Sequence, residues 1–474
     1  MNERFRFSPA PTGDLHVGGA RTALVNYLLS RDGGTLVLRI EDTDPVRTVI
    51  GAEESILEDL RWLGIHWEEG PDVGGPHAPY RQSARGGMHD ERLRELVVAG
   101  AAYRCFCDES ALVHKRAGDE AAGRAPRYDG TCRGIAPEES DARAAAGEPH
   151  VWRFAVPGAQ TVGWDDAVHG AISIGSDDIG DFVLVRSDGT PTWTFASWAD
   201  DIDMGITLVL RGDDHIPNTP RQILLSRALG LVAPRYGHLP LVTGADGAPL
   251  SKSAGDPGIA AFREAGYPAA AVVNHLALLG WSDPEGRDVL SMDELAEAFS
   301  LRRVAKAPSV HDPDRLKSLS ARHLRALSHD GLVEVLRPFM PPLPAWLDAD
   351  ALVEAARDEL VTARDIAKIA EAGVLVPAPA DIDAAGRSAL AIAASAIAAG
   401  SRNPRDGAAL LGEVRSALKA AAVPPRVGLH ALRLALTGRE SGLPLAALLN
   451  IIGAEEALGR VRAAHVDISE PGTR

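Results

Sequence analysis

The segment from Phe5 to Leu24, FRFSPAPTGDLHVGGARTAL, constrains the fold of this chain more than any other. The alternating run Arg4 to Phe7 predicts a short strand, and a turn with two prolines and a glycine follows it. Asp14 is the predicted N-cap of a helix that runs to about Leu29. This arrangement is typical of a phosphate site, because backbone N–H groups and the helix dipole attract an anion.

His16, Gly18 and Gly19 are the candidate anion-binding residues at the start of this helix. A histidine here can donate a hydrogen bond to a phosphate oxygen and stabilise charge that develops there. The segment matches neither GxGxxG nor GxxxxGK[ST], the two common phosphate-binding signatures. Taken alone, the two glycines favour a turn that only connects a strand to a helix, and the histidine two residues earlier is what favours a phosphate site.

An acidic cluster follows the second predicted strand. The strand covers Thr35 to Ile40, and Glu41 is the first of three carboxylates in the four residues after it. Side chains just beyond the carboxyl end of a strand contact ligands in open α/β sheets. The alternative is a solvated acidic turn without a ligand.

All three cysteines of the chain lie within 28 residues of one another, at Cys105, Cys107 and Cys132. Three cysteines are too few for a disulfide framework. Thiolates at this spacing predict a zinc site, and Tyr128 is the candidate for the fourth ligand of a tetrahedral ion. The alternative is three buried thiols in a reducing compartment.

Length and charge limit the function classes. A chain of 474 residues predicts two to four domains. The net charge of −16 argues against a general nucleic-acid-binding protein, although a local basic surface is compatible with it. Apolar runs are too short for a membrane span, and the charged first residues lead directly into a strand, so we expect a cytoplasmic protein without a signal peptide or membrane partner.

The most basic segment lies between residues 301 and 327. Its cations predict a surface for a nucleic-acid backbone, and a solvated helix face is the alternative. The candidate contacts for such a backbone are Arg302, Arg303, Lys306 and Lys317.

The motifs SPAPTGDLHVGGARTAL and LRIEDTDPVR resemble the N-terminus of the glutamyl-tRNA synthetases, a branch of the class I aminoacyl-tRNA synthetases. The signature His-Ile-Gly-His or His-Ile-Gly-Gly of that family stands here as His16-Val17-Gly18-Gly19. Ser251-Lys252-Ser253 resembles the lysine loop of class I enzymes, with Ala248, Pro249 and Ser253 as departures. The resemblance covers nearly the whole chain and is densest up to about residue 325.

The resemblance implies an α/β fold, with a class I Rossmann-type catalytic domain that is split by an α+β insertion carrying the zinc site. All-α C-terminal domains follow. The implied divisions are Rossmann halves at 1–100 and 191–255, an acceptor-stem-binding insertion at 101–190, a stem-contact helical region at 256–325 and a helical anticodon-binding domain at 326–474.

The implied reaction joins glutamate and ATP into glutamyl-adenylate and pyrophosphate, and then moves the glutamyl group to the 3′ end of tRNA. Mg²⁺ on the phosphates accompanies ATP, and tRNA is bound through its acceptor stem and its anticodon. By family analogy we expect a monomer. The implied catalytic residues are His16, Gly19 and Lys252, and the implied ATP-binding residues are Pro9, Thr12, Gly13, His16, Gly18, Gly19, Ser251, Lys252 and Ser253.

The family's metal motif is only partly present. Many members carry Cys-x-Cys followed by Cys-x-His, and Gly134 stands here where that histidine would be. Shorter relatives that glutamylate a modified tRNA base instead use Cys-x-Cys and Tyr-x3-Cys, which Cys105, Cys107, Tyr128 and Cys132 match.

The implied amino-acid pocket contains three departures from the family. Arg6 and Arg211 match positions that bind the substrate carboxylates, and Glu41 matches the carboxylate that meets the α-ammonium. Ala10, Trp193 and Ser197 stand where serine, tyrosine and asparagine are usual.

These departures leave two alternatives beside glutamate activation. One is a specialised paralogue that uses another amino acid or a non-tRNA acceptor, and the other is a non-catalytic tRNA-binding regulator. Retention of His16, Glu41, Arg211 and Lys252 argues against the regulator. Whether tRNA for glutamine is also charged stays open at this point.

Overall fold

The computed structural model describes residues 3–121, 123, 127–248, 250, 258–375, 381–400 and 405–465. The chain divides into two compact units. The N-terminal unit comprises residues 1–261 and 272–313, and the C-terminal unit comprises residues 262–271 and 314–474.

The strands within the described ranges all belong to the N-terminal unit. They are β1 Arg4–Phe7, β2 Thr35–Leu38, β3 Ala102–Cys105, β4 Val151–Phe154, β5 Thr161–Asp166, β6 Gly170–Gly175, β7 Phe182–Val185, β8 Leu208–Gly212, β9 Arg235–Leu239, β10 Val242–Thr243 and β11 Ser309–Val310.

Helices occur along the whole described chain. They are α1 Val17–Ser30, α2 Ala52–Trp62, α3 Gly86–Val98, α4 Glu109–Ala121, α5 Pro137–Ala145, α6 Ser176–Ile179, α7 Trp193–Asp203, α8 Thr219–Ala228, α9 Ile259–Glu264, α10 Ala269–Ala277, α11 Met292–Ala298, α12 Pro313–Ala326, α13 His329–Leu336, α14 Ala349–Ala356, α15 Asp365–Ala370, α16 Ala384–Ala399, α17 Gly407–Ala420, α18 Pro425–Thr437 and α19 Leu445–His465. Short 3-10 turns cover Gln82–Arg85, Asp213–Asn218, Leu301–Arg303, Arg337–Phe339 and Arg357–Glu359, and a π-turn covers Glu371–Leu375.

Two parallel strand pairs form the centre of the N-terminal unit. β1 pairs with β2, and β8 pairs with β9. The pairs meet where the amide of Thr207, just before β8, donates to the carbonyl of Arg4 at 2.9 Å. Apolar residues of these strands, such as Phe5, Val37 and Val209, are buried. As in other α/β folds, burial on both faces explains the largely apolar sequences of β2 and β8, whereas β1 alternates arginine and phenylalanine.

The segment between β3 and β7 interrupts this parallel arrangement with antiparallel structure. β3, β4 and β7 form one sheet in that order. β5 and β6 form a separate hairpin, with Thr161 opposite Gly175 and Asp166 opposite Gly170. Residues 112–148, a polar stretch rich in alanine, glycine and arginine, contain most of α4 and all of α5.

The C-terminal unit is helical. Its buried residues are mainly leucine, isoleucine, valine and alanine, including Leu390, Leu432 and Leu449. A Cβ on Gly407 would lie 2.0 Å from the carbonyl oxygen of Ala446, so only glycine permits the close approach of α17 and α19. None of the described helices combines the length and apolar character needed to cross a membrane.

This architecture confirms the predicted fold class, but one local prediction was wrong. The N-cap of α1 is His16 and not Asp14, because His16 Nδ1 accepts the amide of Gly19 at 3.2 Å. The Asp14 carboxylate accepts the hydroxyl of Ser55 instead.

Candidate active site

A cavity of about 590 Å³ lies at the carboxyl ends of β1 and β8, beside the start of α1. It is lined by residues from both parallel strand pairs and from the loops that follow them. The predicted site residues that line it are Arg6, Pro9, Ala10, Thr12, Gly13, His16, Gly18, Gly19, Glu41, Trp193 and Arg211.

His16 shapes the helix start that faces this cavity. Because its Nδ1 accepts the amide of Gly19, a neutral imidazole carries its proton on Nε2. A Cβ on Gly18 would lie 3.2 Å from His16 Cε1, and a Cβ on Gly19 would lie 3.1 Å from Leu15 Cδ1. A side chain at Gly18 would therefore crowd the imidazole of His16, and a side chain at Gly19 would crowd Leu15.

The proline-rich turn between β1 and α1 is fixed by backbone hydrogen bonds. The amide of Glu41 donates to the carbonyl of Pro9 at 3.0 Å, and the amide of Thr12 donates to Ala10 at 2.8 Å. Gly13 has φ of 129°, a conformation that side chains other than glycine rarely adopt. The turn therefore holds Pro9, Thr12 and Gly13 along one wall of the cavity.

The lysine loop with Ser251, Lys252 and Ser253 lies outside the described residues. Its flanks are described. Leu250 lines the cavity, and its amide donates to Val242 at 3.0 Å. Gly258 forms a β-bridge with His16. Both flanks thus lie next to the predicted phosphate site.

Glu41 is held by two side chains. Arg39 Nη2 lies 3.1 Å from one carboxylate oxygen, and the indole N–H of Trp193 donates to the other. Trp193 stacks on His215 with ring centroids 4.5 Å apart. Burial lowers the pKa of His215 to about 4, so this ring is neutral at pH 7.

Arg39 is fully buried and joins several acidic residues that the sequence does not bring together. Its Nη1 lies 2.8 Å from Asp201, and its Nε lies 3.8 Å from Asp200. Burial by itself lowers the pKa of Arg39, but Asp201, Asp200 and Glu41 raise it overall. Arg39 Nη2 also donates to the hydroxyl of Ser197 at 3.3 Å. Ser197 does not line the cavity, so its link to Glu41 runs through Arg39.

The two predicted carboxylate-binding arginines differ in their surroundings. Arg6 donates to Asp201 at 3.2 Å and to the carbonyl of Leu210 at 3.0 Å. Arg211 Nη1 is buried without a hydrogen-bond partner among the described residues, and so is the hydroxyl of Ser8. Both residues line the cavity. Because an unpaired buried polar group is costly, these atoms indicate that a polar ligand completes the site.

The cysteine cluster forms a separate group in the inserted segment. The sulfur atoms of Cys105, Cys107 and Cys132 lie within 4.8 Å of one another. Cys107 and Cys132 are 3.7 Å apart, and the hydroxyl of Tyr128 lies 3.2 Å from Cys105 and 3.5 Å from Cys107. With Zn–S about 2.3 Å and Zn–O about 2.0 Å, tetrahedral geometry requires S–S near about 3.8 Å and S–O near about 3.5 Å. The group therefore fits a zinc ion.

Arg153 lies beside the cysteine cluster and affects the pKa of one of its thiols. The guanidinium of Arg153 lies 4.0 Å from the ring centroid of Tyr128. Burial raises the pKa of the Cys105 thiol, but hydrogen bonds with Tyr128 and Arg153 outweigh burial and lower it overall. Burial and the neighbouring thiols raise the pKa of Tyr128 well above its usual range. Binding of Tyr128 as a phenolate thus requires a cation that displaces its proton.

The predicted tRNA contacts are exposed. Arg302, Arg303 and Lys306 belong to the N-terminal unit, and Lys317 belongs to the C-terminal unit. Lys306 Nζ donates to the carbonyl of His169, a neutral acceptor, at 2.9 Å, whereas Lys317 pairs with Asp314 at 2.8 Å.

Sequence reasoning missed several residues that line the cavity or lie behind it. Arg39 stands inside the apolar run TLVLRI, and a charge within a predicted buried strand is a signal that it has a buried partner. His238 stands in a buried strand in the same way. His215 and Arg21 line the cavity without any motif that identifies them in advance.

Comparison with known proteins gives consistent matches along the chain. The family described as tRNA synthetases class I (E and Q), catalytic domain, matches residues 3–318, and the anticodon binding domain family matches residues 331–465. A glutamate–tRNA ligase 1 from Halorhodospira halophila is 42% identical over 100% of this chain and 99% of the relative. One from Desulforamulus reducens is 45% identical over 72% of this chain and 71% of the relative.

A solved structure is similar over almost the same length. The crystal structure of a glutamate tRNA ligase from Elizabethkingia meningosepticum, in complex with its amino acid, superposes with a TM-score of 0.86 and 29% identity. The match covers 98% of this chain and 99% of that one.

Proposed function

Because this chain belongs to the class I tRNA synthetases of the glutamate and glutamine group, we infer that the cavity beside α1 is where it activates glutamate with ATP. The chain is a ligase that joins glutamate to tRNA(Glu), the activity named for its relatives and for the similar solved structure. ATP is its second substrate, and the assignment of individual residues below is our proposal.

For the ATP side of the cavity, we propose that the helix start binds the phosphates. His16 Nε2–H is the donor to a phosphate oxygen, and Gly18 and Gly19 let the phosphates approach the backbone. Lys252, which lies between Leu250 and Gly258 in the sequence, adds a positive charge. In-line attack on the α-phosphate needs positioning and charge stabilisation rather than a protein nucleophile. Mg²⁺ bound to the phosphates would supply further charge neutralisation.

For the amino-acid side, we propose that Arg211 Nη1 pairs with a substrate carboxylate and that Ser8 contributes a hydrogen bond. Both atoms are buried and unpartnered among the described residues, and a carboxylate supplies the acceptor that each can use. Glu41, oriented by Arg39 and Trp193, meets the α-ammonium. Arg6, Ala10 and Ser197 complete the predicted pocket.

For tRNA, we propose that Arg302, Arg303, Lys306 and Lys317 contact the phosphate backbone. The anticodon-binding match at residues 331–465 supports binding of the anticodon by the C-terminal unit. The monomeric state, the cytoplasmic location and the five-part division of the chain stay predictions from the sequence.

The observation that carries the proposal is that one cavity contains both a helix start suited to phosphates and an arginine, Arg211, whose Nη1 has no hydrogen-bond partner among the described residues and suits a carboxylate. We expect ATP–pyrophosphate exchange with glutamate when total tRNA and Mg²⁺ are present, and no exchange without tRNA. All twenty amino acids should be assayed in both conditions. Exchange with a different amino acid would favour the specialised paralogue, and absence of exchange would favour the regulator.

We also propose that Cys105, Cys107, Cys132 and Tyr128 hold one zinc ion. When bound, zinc would link β3 to the later part of the inserted segment and stabilise it. The agreement of the sulfur and oxygen spacing with tetrahedral coordination supports this.

A metal analysis tests the zinc proposal. The purified protein is expected to contain one zinc per chain, and Cys132→Ser is expected to lose it, because two thiolates and a phenol remain. Tyr128→Phe should retain zinc with at least about tenfold weaker affinity in a chelator competition. Cys132→Ser that keeps stoichiometric zinc, or wild-type protein without it, would contradict the site.

A further inference from the structure

A chain of buried hydrogen bonds lies behind Arg211. Asp166 Oδ2 lies 2.5 Å from His238 Nδ1, and both side chains are inaccessible to solvent. His238 Nε2 lies 3.3 Å from Arg211 Nε and 3.0 Å from the hydroxyl of Thr219. That hydroxyl accepts Arg211 Nη2 at 2.7 Å.

This arrangement fixes the tautomer of His238. The Asp166 carboxylate accepts the Nδ1 proton, so Nε2 is an acceptor for Arg211 and Thr219. Burial lowers the pKa of His238 despite the opposing effect of Asp166, which favours the neutral ring. A proton on Nε2 would oppose the N–H of Arg211 directly.

The same contacts determine where Arg211 can point. Its Nε and Nη2 are engaged by His238 and Thr219, so Nη1 is the guanidinium nitrogen left for a ligand. We propose that Asp166, His238 and Thr219 are positioning residues that hold Arg211 with Nη1 toward a carboxylate of the amino-acid substrate. This inference rests on the proposed function of Arg211.

Asp166 comes from the inserted segment, at the end of β5. The turn after it packs on β9, where the amide of Ala167 donates to the carbonyl of Tyr236 at 2.9 Å. A Cβ on Gly237 would lie 3.1 Å from Ala167 Cβ and 2.6 Å from Leu210 Cδ2, so the turn and the strands fit closely. The inserted hairpin thus contributes one residue to the support of the amino-acid pocket.

The substitution Asp166→Asn tests this support with little change of shape. Asp166 Oδ1 accepts the backbone amides of Val168 and His169 at 3.0 Å each. Because a backbone N–H can only donate, the side-chain oxygen of the asparagine should occupy the position of Oδ1. Its NH₂ group then faces His238 Nδ1 and moves the ring proton to Nε2, opposite Arg211. We expect the KM for glutamate to rise by about tenfold to hundredfold, with kcat and the KM for ATP unchanged.

The assay is ATP–pyrophosphate exchange by the full chain with saturating tRNA. His238→Gln can place an amide oxygen near Nε2 and should lose less glutamate affinity than His238→Leu. In the Arg211→Ala background, Asp166→Asn should have no further effect on the KM for glutamate, because it acts through Arg211.

Each contrary outcome has a separate meaning. If Arg211→Ala raises the KM for glutamate and Asp166→Asn does not, the positioning role is overturned while the proposed function stands. If Arg211→Ala also leaves the KM for glutamate unchanged, the proposed role of Arg211 in binding the substrate is overturned, and the positioning role is overturned with it. A rise in both KM values together with a lower unfolding temperature for Asp166→Asn would show a purely structural role and overturn the inference.

Discussion

Replacing Arg211 with alanine is expected to lower kcat/KM for glutamate by about 30-fold to several thousandfold, because loss of one partner of a buried charge pair costs about 2–5 kcal/mol. Arg211 is buried, and Nη1 lacks a partner among the described residues. We expect the loss mainly in the KM for glutamate, since a binding contact that is equally strong in the ground and transition states affects KM rather than kcat. Pyrophosphate exchange at varied glutamate measures it.

Arg211→Lys provides the matched control and a pH dependence. Burial lowers the pKa of Arg211 to about 10. A lysine starts from a lower ordinary pKa, so the same burial should leave it partly neutral near pH 7. Its kcat/KM for glutamate should therefore rise as the pH falls and the lysine gains its proton. An alanine variant with wild-type KM, or a lysine variant without this trend, would contradict the assignment.

Replacing Arg39 with methionine is expected to lower the free energy of unfolding of the N-terminal unit by about 3–5 kcal/mol. The substitution leaves Glu41, Asp200 and Asp201 buried without the cation that lies 3.1, 3.8 and 2.8 Å from them. Urea unfolding followed by tryptophan fluorescence reports on this unit, because every tryptophan except Trp346 belongs to it.

An exposed arginine, Arg94, provides the control for the substitution of buried Arg39. Arg94 pairs with Glu91 on the surface of α3, with 64% and 57% of the two side chains exposed. Arg94→Met is expected to change the free energy of unfolding by about 0–1 kcal/mol, because solvent screens such pairs. Equal effects of the two substitutions would show that Asp200 and Asp201 are sufficiently stabilised by Arg85 and Arg6 without Arg39.

The structure shows which polar contacts remain at the three positions of the amino-acid pocket that depart from the family. By the family resemblance, tyrosine and asparagine are usual at the positions of Trp193 and Ser197. In the structure, the indole of Trp193 donates to Glu41, and the hydroxyl of Ser197 accepts from Arg39. Both side chains thus keep a polar role, and Ala10 is the departure that supplies no polar atom.

Features defined by near neighbours could be predicted from the sequence alone. The strand, turn and helix start around His16 depend on residues within about one helical turn, so composition and spacing were sufficient to place them. The cysteine cluster followed from spacing in the same way, and the family resemblance supplied the reaction. The N-cap was misassigned because Asp14 and His16 can both cap a helix, and only the packing of Asp14 against Ser55 distinguishes them.

Features that depend on partners far apart in the chain were decided only by the tertiary structure. Arg39 pairs with Asp201 across 162 residues, and Asp166 reaches His238 across 72. No local pattern specifies these pairs, because they form when separate strands and an inserted hairpin pack together and leave charged groups away from water. The sequence therefore determined which residues could do the chemistry, whereas packing decided how Arg211 and Glu41 are held in place for it.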